Sequence, residues 1–225
     1  MSSERERALV PVLLILTAVT GLVDAVSVLG LGRVFTANMT GNTAFLGFAA
    51  AGAPGLSFAR ATVALAAFLL GALIGGRIAV PIGAGSAGRR TASALGVEAV
   101  LLLSAAGVVL GAGPDLSGSP ARLYSAIGLT GLAMGLRNAV VRKLAVADLT
   151  TTVLTLTLTG LAADSPLAGG EGPRWPRRIG SVALMFAGAA AGAWLVARSV
   201  AHALAAAGLA SGVCAVMVKR GLRSA

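Results

Sequence analysis

Six stretches of the chain, at roughly 9–31, 59–80, 92–112, 121–142, 178–197 and 200–218, stay apolar for about the 20 helical residues that cross a bilayer core of about 30 Å. Hydrocarbon offers no hydrogen-bond partner, so every backbone N–H and C=O in such a run must be satisfied within the protein, and a continuous helix does this. Only 12% of the residues are charged and 56% are hydrophobic, against about 25% charged in soluble domains. The expected fold class is all-α integral membrane, one membrane domain over residues 1–225 with the lipid bilayer as its surroundings. The charged start and apolar run of MSSERERALVPVLLILTAVTGLVDAV look like a signal peptide. The run is long and lacks a clear small-residue cleavage site, so it reads as a retained first span.

The net charge of +10 does not point to nucleic acid, because the basic residues punctuate apolar runs and are not gathered on one water-exposed face with aromatics for stacking. Two further apolar segments, about 40–52 and 150–163, are too short to span alone, since 13 or 14 helical residues rise only about 20 Å. If neither crosses and the N-terminus is cytoplasmic, only Arg33, Arg60, Arg122 and Arg198 of the chain's 18 basic residues lie outside. If both cross, the basic residues divide almost evenly. The positive-inside rule therefore favours six crossings, both termini in the cytoplasm, and re-entrant or broken helices within 34–52 and 145–163. The excess of Arg over Lys and the abundance of alanine suit a GC-rich bacterial source, and with it a bacterial inner membrane. The long polar connection beginning DSPLAGG at Asp164 is then cytoplasmic.

The chain also repeats itself. GLVDA at Gly21–Ala25 matches GLRNA at Gly135–Ala139, TGNT at Thr40–Thr43 lies opposite TLTL at Thr155–Leu158, and GALIG at Gly71–Gly75 matches GAAAG at Gly188–Gly192. The order is kept, which predicts two three-helix repeats, about 9–112 and 121–218. With three crossings each, the second enters from the opposite side, giving inverted topology. Asp24 and Asn138 become symmetry mates, each roughly 8–10 Å from the end of its span. The Gly71/Gly75 and Gly188/Gly192 pairs allow close helix approach, for packing within the chain or for a homo-oligomer. Their equivalent places in the repeat favour packing.

The stretches GLVDAVSVLGLGRVFTANMTGN and AMGLRNAVVRKLAVADLTTTVLT resemble the YoaK-like bacterial membrane proteins, a six-span family of unknown function. The resemblance covers nearly the whole chain. It implies that Gly21, Asp24, Asn38, Thr40, Gly41, Asn42, Gly135, Asn138, Thr151 and Thr155 match the family pattern. Arg137 stands where that pattern usually has Gln, and Leu156 where it usually has Gly.

The polar residues of these motifs are the candidates for a solute pathway: Asp24, Asn38, Thr40, Gly41, Asn42, Asn138, Thr151 and Thr155. A carboxylate in mid-span costs on the order of 3 kcal/mol, so Asp24 should face a partner helix or a cavity. Asn38 and Thr40 suit a helix N-cap and Gly41 a close backbone approach. Thr151, Thr155 and Thr159 form one stripe, which either lines a pathway or bonds its own i−4 carbonyls. Arg137 is expected to snorkel to cytoplasmic water rather than pair with Asp24.

No Ser/His, Cys/His, paired-carboxylate or metal-ligand pattern is visible, and with one cysteine and one histidine no Cys/His metal site can be assembled. The sequence thus gives no reason to expect an enzyme, a catalytic residue, a metal or a cofactor. It points to a transporter or channel for a small polar or anionic solute, with a non-transporting scaffold or regulatory protein as the alternative.

Overall fold

The computed structural model describes residues 3–79, 87–112, 116, 118–144, 154–172 and 174–221. Among these, the apolar runs form helices and no strand occurs. The helices are α1 (Ser3–Leu29), α2 (Met39–Ala50), α3 (Phe58–Ile78), α4 (Ala87–Val109), α5 (Pro120–Leu144), α6 (Leu154–Ala163), α7 (Trp175–Val196) and α8 (Val200–Gly221). The portions Ala8–Leu29, Phe58–Ile78, Gly88–Val109, Trp175–Val196 and Val200–Gly221 are long and apolar enough to cross a membrane. At 25 residues α5 is also long enough, but it carries Arg137 and Asn138 in mid-course. α2 and α6, of 12 and 10 residues, rise only about 18 and 15 Å and cannot cross.

One end of the bundle joins Leu9 and Val12 of α1, Ala92 and Leu95 of α4, Val141 of α5, and Cys214 and Val218 of α8 in one apolar cluster. Val26 in α1's last turn, Leu31 just after it, Val109, Leu123, Val196 and Val200 meet in another cluster at the opposite end. α1 therefore runs antiparallel to α5. Lys143 Nζ donates to the Gly76 carbonyl at 2.9 Å, which puts the end of α3 beside the end of α5. As a result Arg77, Arg89, Arg142, Lys143, Lys219 and Arg220 gather at one end, while Arg33, Arg60, Arg122 and Arg198 lie at the other.

The helices pack in matching pairs: α3 on α5 and α7 on α1, α4 on α5 and α8 on α1, α2 on α3 and α6 on α7, with α4 lying along α8. Glycine makes the closest of these contacts. A methyl group at Gly71 or Gly75 would strike the backbone of Leu132 or Leu136, and one at Gly188 or Gly192 the backbone of Ala18 or Leu22. From the other side, Gly135 abuts Phe68 and Gly21 abuts Met185. Moving 117 residues from α3 to α7 and 114 from α1 to α5 carries each contact onto its counterpart. The buried residues of α3, Ala61, Ala64, Gly71 and Gly75, likewise fall on Arg178, Ser181, Gly188 and Gly192 of α7. Lipid is as apolar as these helices, so van der Waals contact along such small-residue stripes must supply much of their attraction.

After α1 the chain reverses through Gly32 and Arg33, both with positive φ. Gly32 has no Cβ to be strained there. Its carbonyl accepts a hydrogen bond from Arg60 Nη1 at 3.1 Å, which ties the turn to the start of α3. Residues 34–38 then run back along the last turn of α1, where Val34 N donates to the Ser27 carbonyl at 3.4 Å and the Thr36 hydroxyl lies 2.6 Å from that of Ser27, and lead into α2.

Candidate functional site

Arg137 is a fully buried side chain. It projects from α5 into the space between α1 and α4. Its Nη1 donates to Glu98 Oε1 at 3.1 Å and to the Leu16 carbonyl at 3.3 Å, and its Nη2 to Thr20 Oγ1 at 2.7 Å and Met134 Sδ at 3.0 Å. Thr20 can accept because its own proton goes to the Leu16 carbonyl, 2.9 Å away. Snorkelling is thereby overturned: a guanidinium with an ion-pair partner and two further oxygens inside the bundle does not have to reach water.

The partner, Glu98 on α4, was not singled out from the sequence. It is completely buried and also accepts from Ser211 Oγ on α8 at 2.9 Å. The signal was available, since Glu98 is the one acidic residue in its apolar run and the cost argument applied to Asp24 applies equally to it. Residues of α1, α4, α5 and α8 thus converge on one charged cluster.

Asp24 joins its edge. It is 8% exposed and lies close to the backbone of Asn38 and to the Arg137 charge. Three polar atoms here, Asp24 Oδ1, Glu98 Oε2 and Arg137 Nε, are buried with no hydrogen-bond partner among the described residues. Two carboxylates and one guanidinium sum to −1 when all are ionised. Asp24, one turn from the end of α1, is the member closest to the Asn38–Asn42 turn.

That turn is built from internal bonds. Asn38 caps α2 by accepting from Gly41 N at 3.4 Å. Asn42 is fully buried, donating from Nδ2 to the Ala61 carbonyl at 2.8 Å and accepting from Phe35 N at 3.3 Å. A Cβ on Gly41 would press on the Phe35 ring at 2.8 Å, and that ring lies 5.2 Å from the ring of Phe45. Thr40 is exposed on the outer side of α2. The side chains of Asn38 and Asn42 therefore fix the backbone of the turn that lies beside Asp24.

In the second half Asn138 is half-buried and donates to its own Met134 carbonyl at 2.8 Å. Thr151, with the turn expected around 148–152, lies outside the described residues. Thr155 and Thr159 are exposed, and the buried threonine of α6 is Thr157. The face of α6 is set by its contact with α7, where Arg178 Nη1 bonds the Gly160 carbonyl at 2.6 Å and Asp164 Oδ2 at 2.7 Å.

The sequence profile of the family described as "Protein of unknown function (DUF1275)" matches residues 12–217. The chain belongs to that family. The matched DUF1275 region contains Asp24, Glu98, Arg137 and Ser211, so the whole charged cluster lies inside it. One relative, the UPF0700 transmembrane protein YoaK of Bacillus subtilis (strain 168), is 34% identical over 152 residues, which cover 68% of this chain and 64% of the relative. The family resemblance read from the two motifs and this match agree. With its long apolar helices and a transmembrane relative, the DUF1275 chain is a membrane protein. No solved structure matches it.

Proposed function

We propose that this protein is a small-solute transporter or channel of the bacterial cell membrane, with a pathway between two inverted repeats of three crossings each. The observation that carries the reading is the charged cluster of Arg137, Glu98 and Asp24, held where α1, α4, α5 and α8 meet. Ionisable groups inside a membrane are costly and usually mark a solute or proton route. Its buried oxygens on Asp24 and Glu98, unpartnered among the described residues, offer bonding capacity to a polar solute or a proton. The paired contacts of α3 with α5 and α7 with α1, related by the same shifts of 114 and 117 residues, support the duplication. The antiparallel course of α1 and α5 supports its inversion, and α5 is the sixth crossing.

Among the small polar and anionic solutes left open by the sequence, a cluster that sums to −1 when both carboxyls are ionised, and to zero when one is protonated, favours a neutral polar one over an anion. The N-terminus of α2 does less for an anion because the Gly41 N–H is already taken by the Asn38 cap. A scaffold or regulatory role is the second reading. It is favoured by the internal use of Asn38 and Asn42, which leaves that turn a purely structural explanation.

Flux into proteoliposomes separates the two. Purified protein, Asp24→Asn and Glu98→Gln are compared on a panel of small neutral and anionic solutes, with thermal unfolding as a control for folding. A transporter loses flux in variants that stay folded. Flux from the native protein no greater than from empty liposomes across the panel favours the scaffold.

A further inference from the structure

On the outer face of the α4–α8 pair lies a groove of about 490 Å³ bordered by Ala99, Leu103, Gly208, Gly212, Val213 and Val216. A second hollow, also about 490 Å³, is lined by Arg89, Ala92, Ser93, Ala215, Val216 and Lys219. Val216 borders both, so the two adjoin at that side chain as a trough, and Arg220 also lines the first. It exists because glycine faces it: at Gly208 a Cβ would press on the Leu103 side chain at 2.8 Å, whereas at Gly212 it would find only Ala99 Cβ at 3.7 Å. One end is apolar and the other basic.

We infer that this trough is a binding site for an anionic diacyl phospholipid, one acyl chain lying along α4 and α8 and the phosphate between Arg89 and Lys219. The dimensions fit. From Ser93 to Leu103 the helix rises about 15 Å at 1.5 Å per residue, half of a hydrocarbon core of about 30 Å and hence one leaflet. The basic pair sits at the end of the bundle that carries most of the chain's positive charge, where the headgroups of that leaflet lie. Basic pockets between membrane helices take anionic headgroups in this way.

A second copy of the chain is the competing occupant, and charge argues against it. A two-fold axis along the membrane normal that laid the trough on itself would bring Arg89 and Lys219 against their own copies. Like charges so placed repel, whereas a phospholipid phosphate neutralises them.

The test is native mass spectrometry of the purified protein with phosphatidylglycerol and phosphatidylcholine of identical acyl chains. Native protein should retain phosphatidylglycerol about tenfold more strongly. The double variant Arg89→Ala/Lys219→Ala should lose that preference while still binding both lipids weakly. Val216→Trp, at an exposed position where the change leaves the core untouched, should weaken retention of both lipids by filling the trough. Equal retention of the two lipids by native protein, an unchanged preference in the double variant, or unchanged retention in Val216→Trp would each overturn the site. So would dimers cross-linked through Gly212→Cys in native membranes, which would give the trough to a second copy.

Discussion

Arg137 on α5 and Glu98 on α4 form an ion pair 3.1 Å long in which neither side chain has any exposed surface. Such a pair is costly to assemble, because two charges leave water, and its attraction offsets that cost only when further hydrogen bonds complete the shell. Here Thr20, the Leu16 carbonyl and Ser211 complete part of it, joining α1 and α8 to α4 and α5. The shell stops short of completion, with one atom of Arg137 and one of Glu98 unpartnered among the described residues. That open capacity is what the proposed pathway draws on.

Glu98→Leu should destabilise the protein by about 3–5 kcal/mol, since it leaves the Arg137 guanidinium buried without its counter-charge. The double variant Glu98→Leu/Arg137→Met should recover most of that loss, because two apolar side chains of similar volume remove both desolvation penalties together. Denaturant unfolding in detergent measures both. A single variant as stable as the native protein would show that the pair does not hold α4 to α5.

The glycine contacts predict a matched pair of effects. Gly71→Leu forces a side chain into the Leu132 backbone and Gly188→Leu into that of Ala18, and overpacking of this kind costs about 1–3 kcal/mol or more. The two losses should be similar because the contacts correspond under the repeat shifts. Thermal unfolding of the two variants, with Gly76→Leu as a control at a glycine facing open space, tests this. A large loss in one and none in the other would argue that only one stripe is a packing surface.

What could be read from the sequence follows what the membrane dictates. Each long apolar run became a helix because hydrocarbon allows little else, and the Asn38 cap was legible because it depends on neighbours within a few residues; at Gly41 the close neighbour is the Phe35 ring and not the backbone expected there. Partners across helices were not legible. Nothing in the order of residues says that Glu98 faces Arg137, since that depends on how α4 rotates against α5. The threonine stripe of α6 had the right period but no phase. Contact with α7 supplied it, burying Thr157 and leaving Thr155 and Thr159 exposed.

Asn42→Ala should lower stability by about 1–3 kcal/mol, as it leaves the buried Ala61 carbonyl and Phe35 N–H without their partner. Thr40→Ala and Thr155→Ala, at exposed positions, should stay within about 0.5 kcal/mol of the native protein. Thermal unfolding of the three variants is the measurement. Equal losses in all three would mean that the buried amide has no special part in holding the turn to α3.

The ends of the bundle carry the last prediction. Arg77, Arg89, Arg142, Lys143, Lys219 and Arg220 lie at one end, and the positive-inside rule assigns that end to the cytoplasm. The turn between α2 and α3 and the start of α5 lie at the other. Cys214 is the chain's sole cysteine and is buried, so Cys214→Ala provides a background free of thiols. In that background Pro54→Cys and Gly118→Cys, both at exposed positions, should react with a membrane-impermeant thiol reagent in intact cells. Lys219→Cys should react only after the cells are opened. Labelling of Lys219→Cys alone in intact cells would reverse the orientation and with it the leaflet assigned to the basic trough. Labelling of all three from outside would deny that the two ends of the bundle face opposite sides of the membrane, and the inverted repeat could not stand.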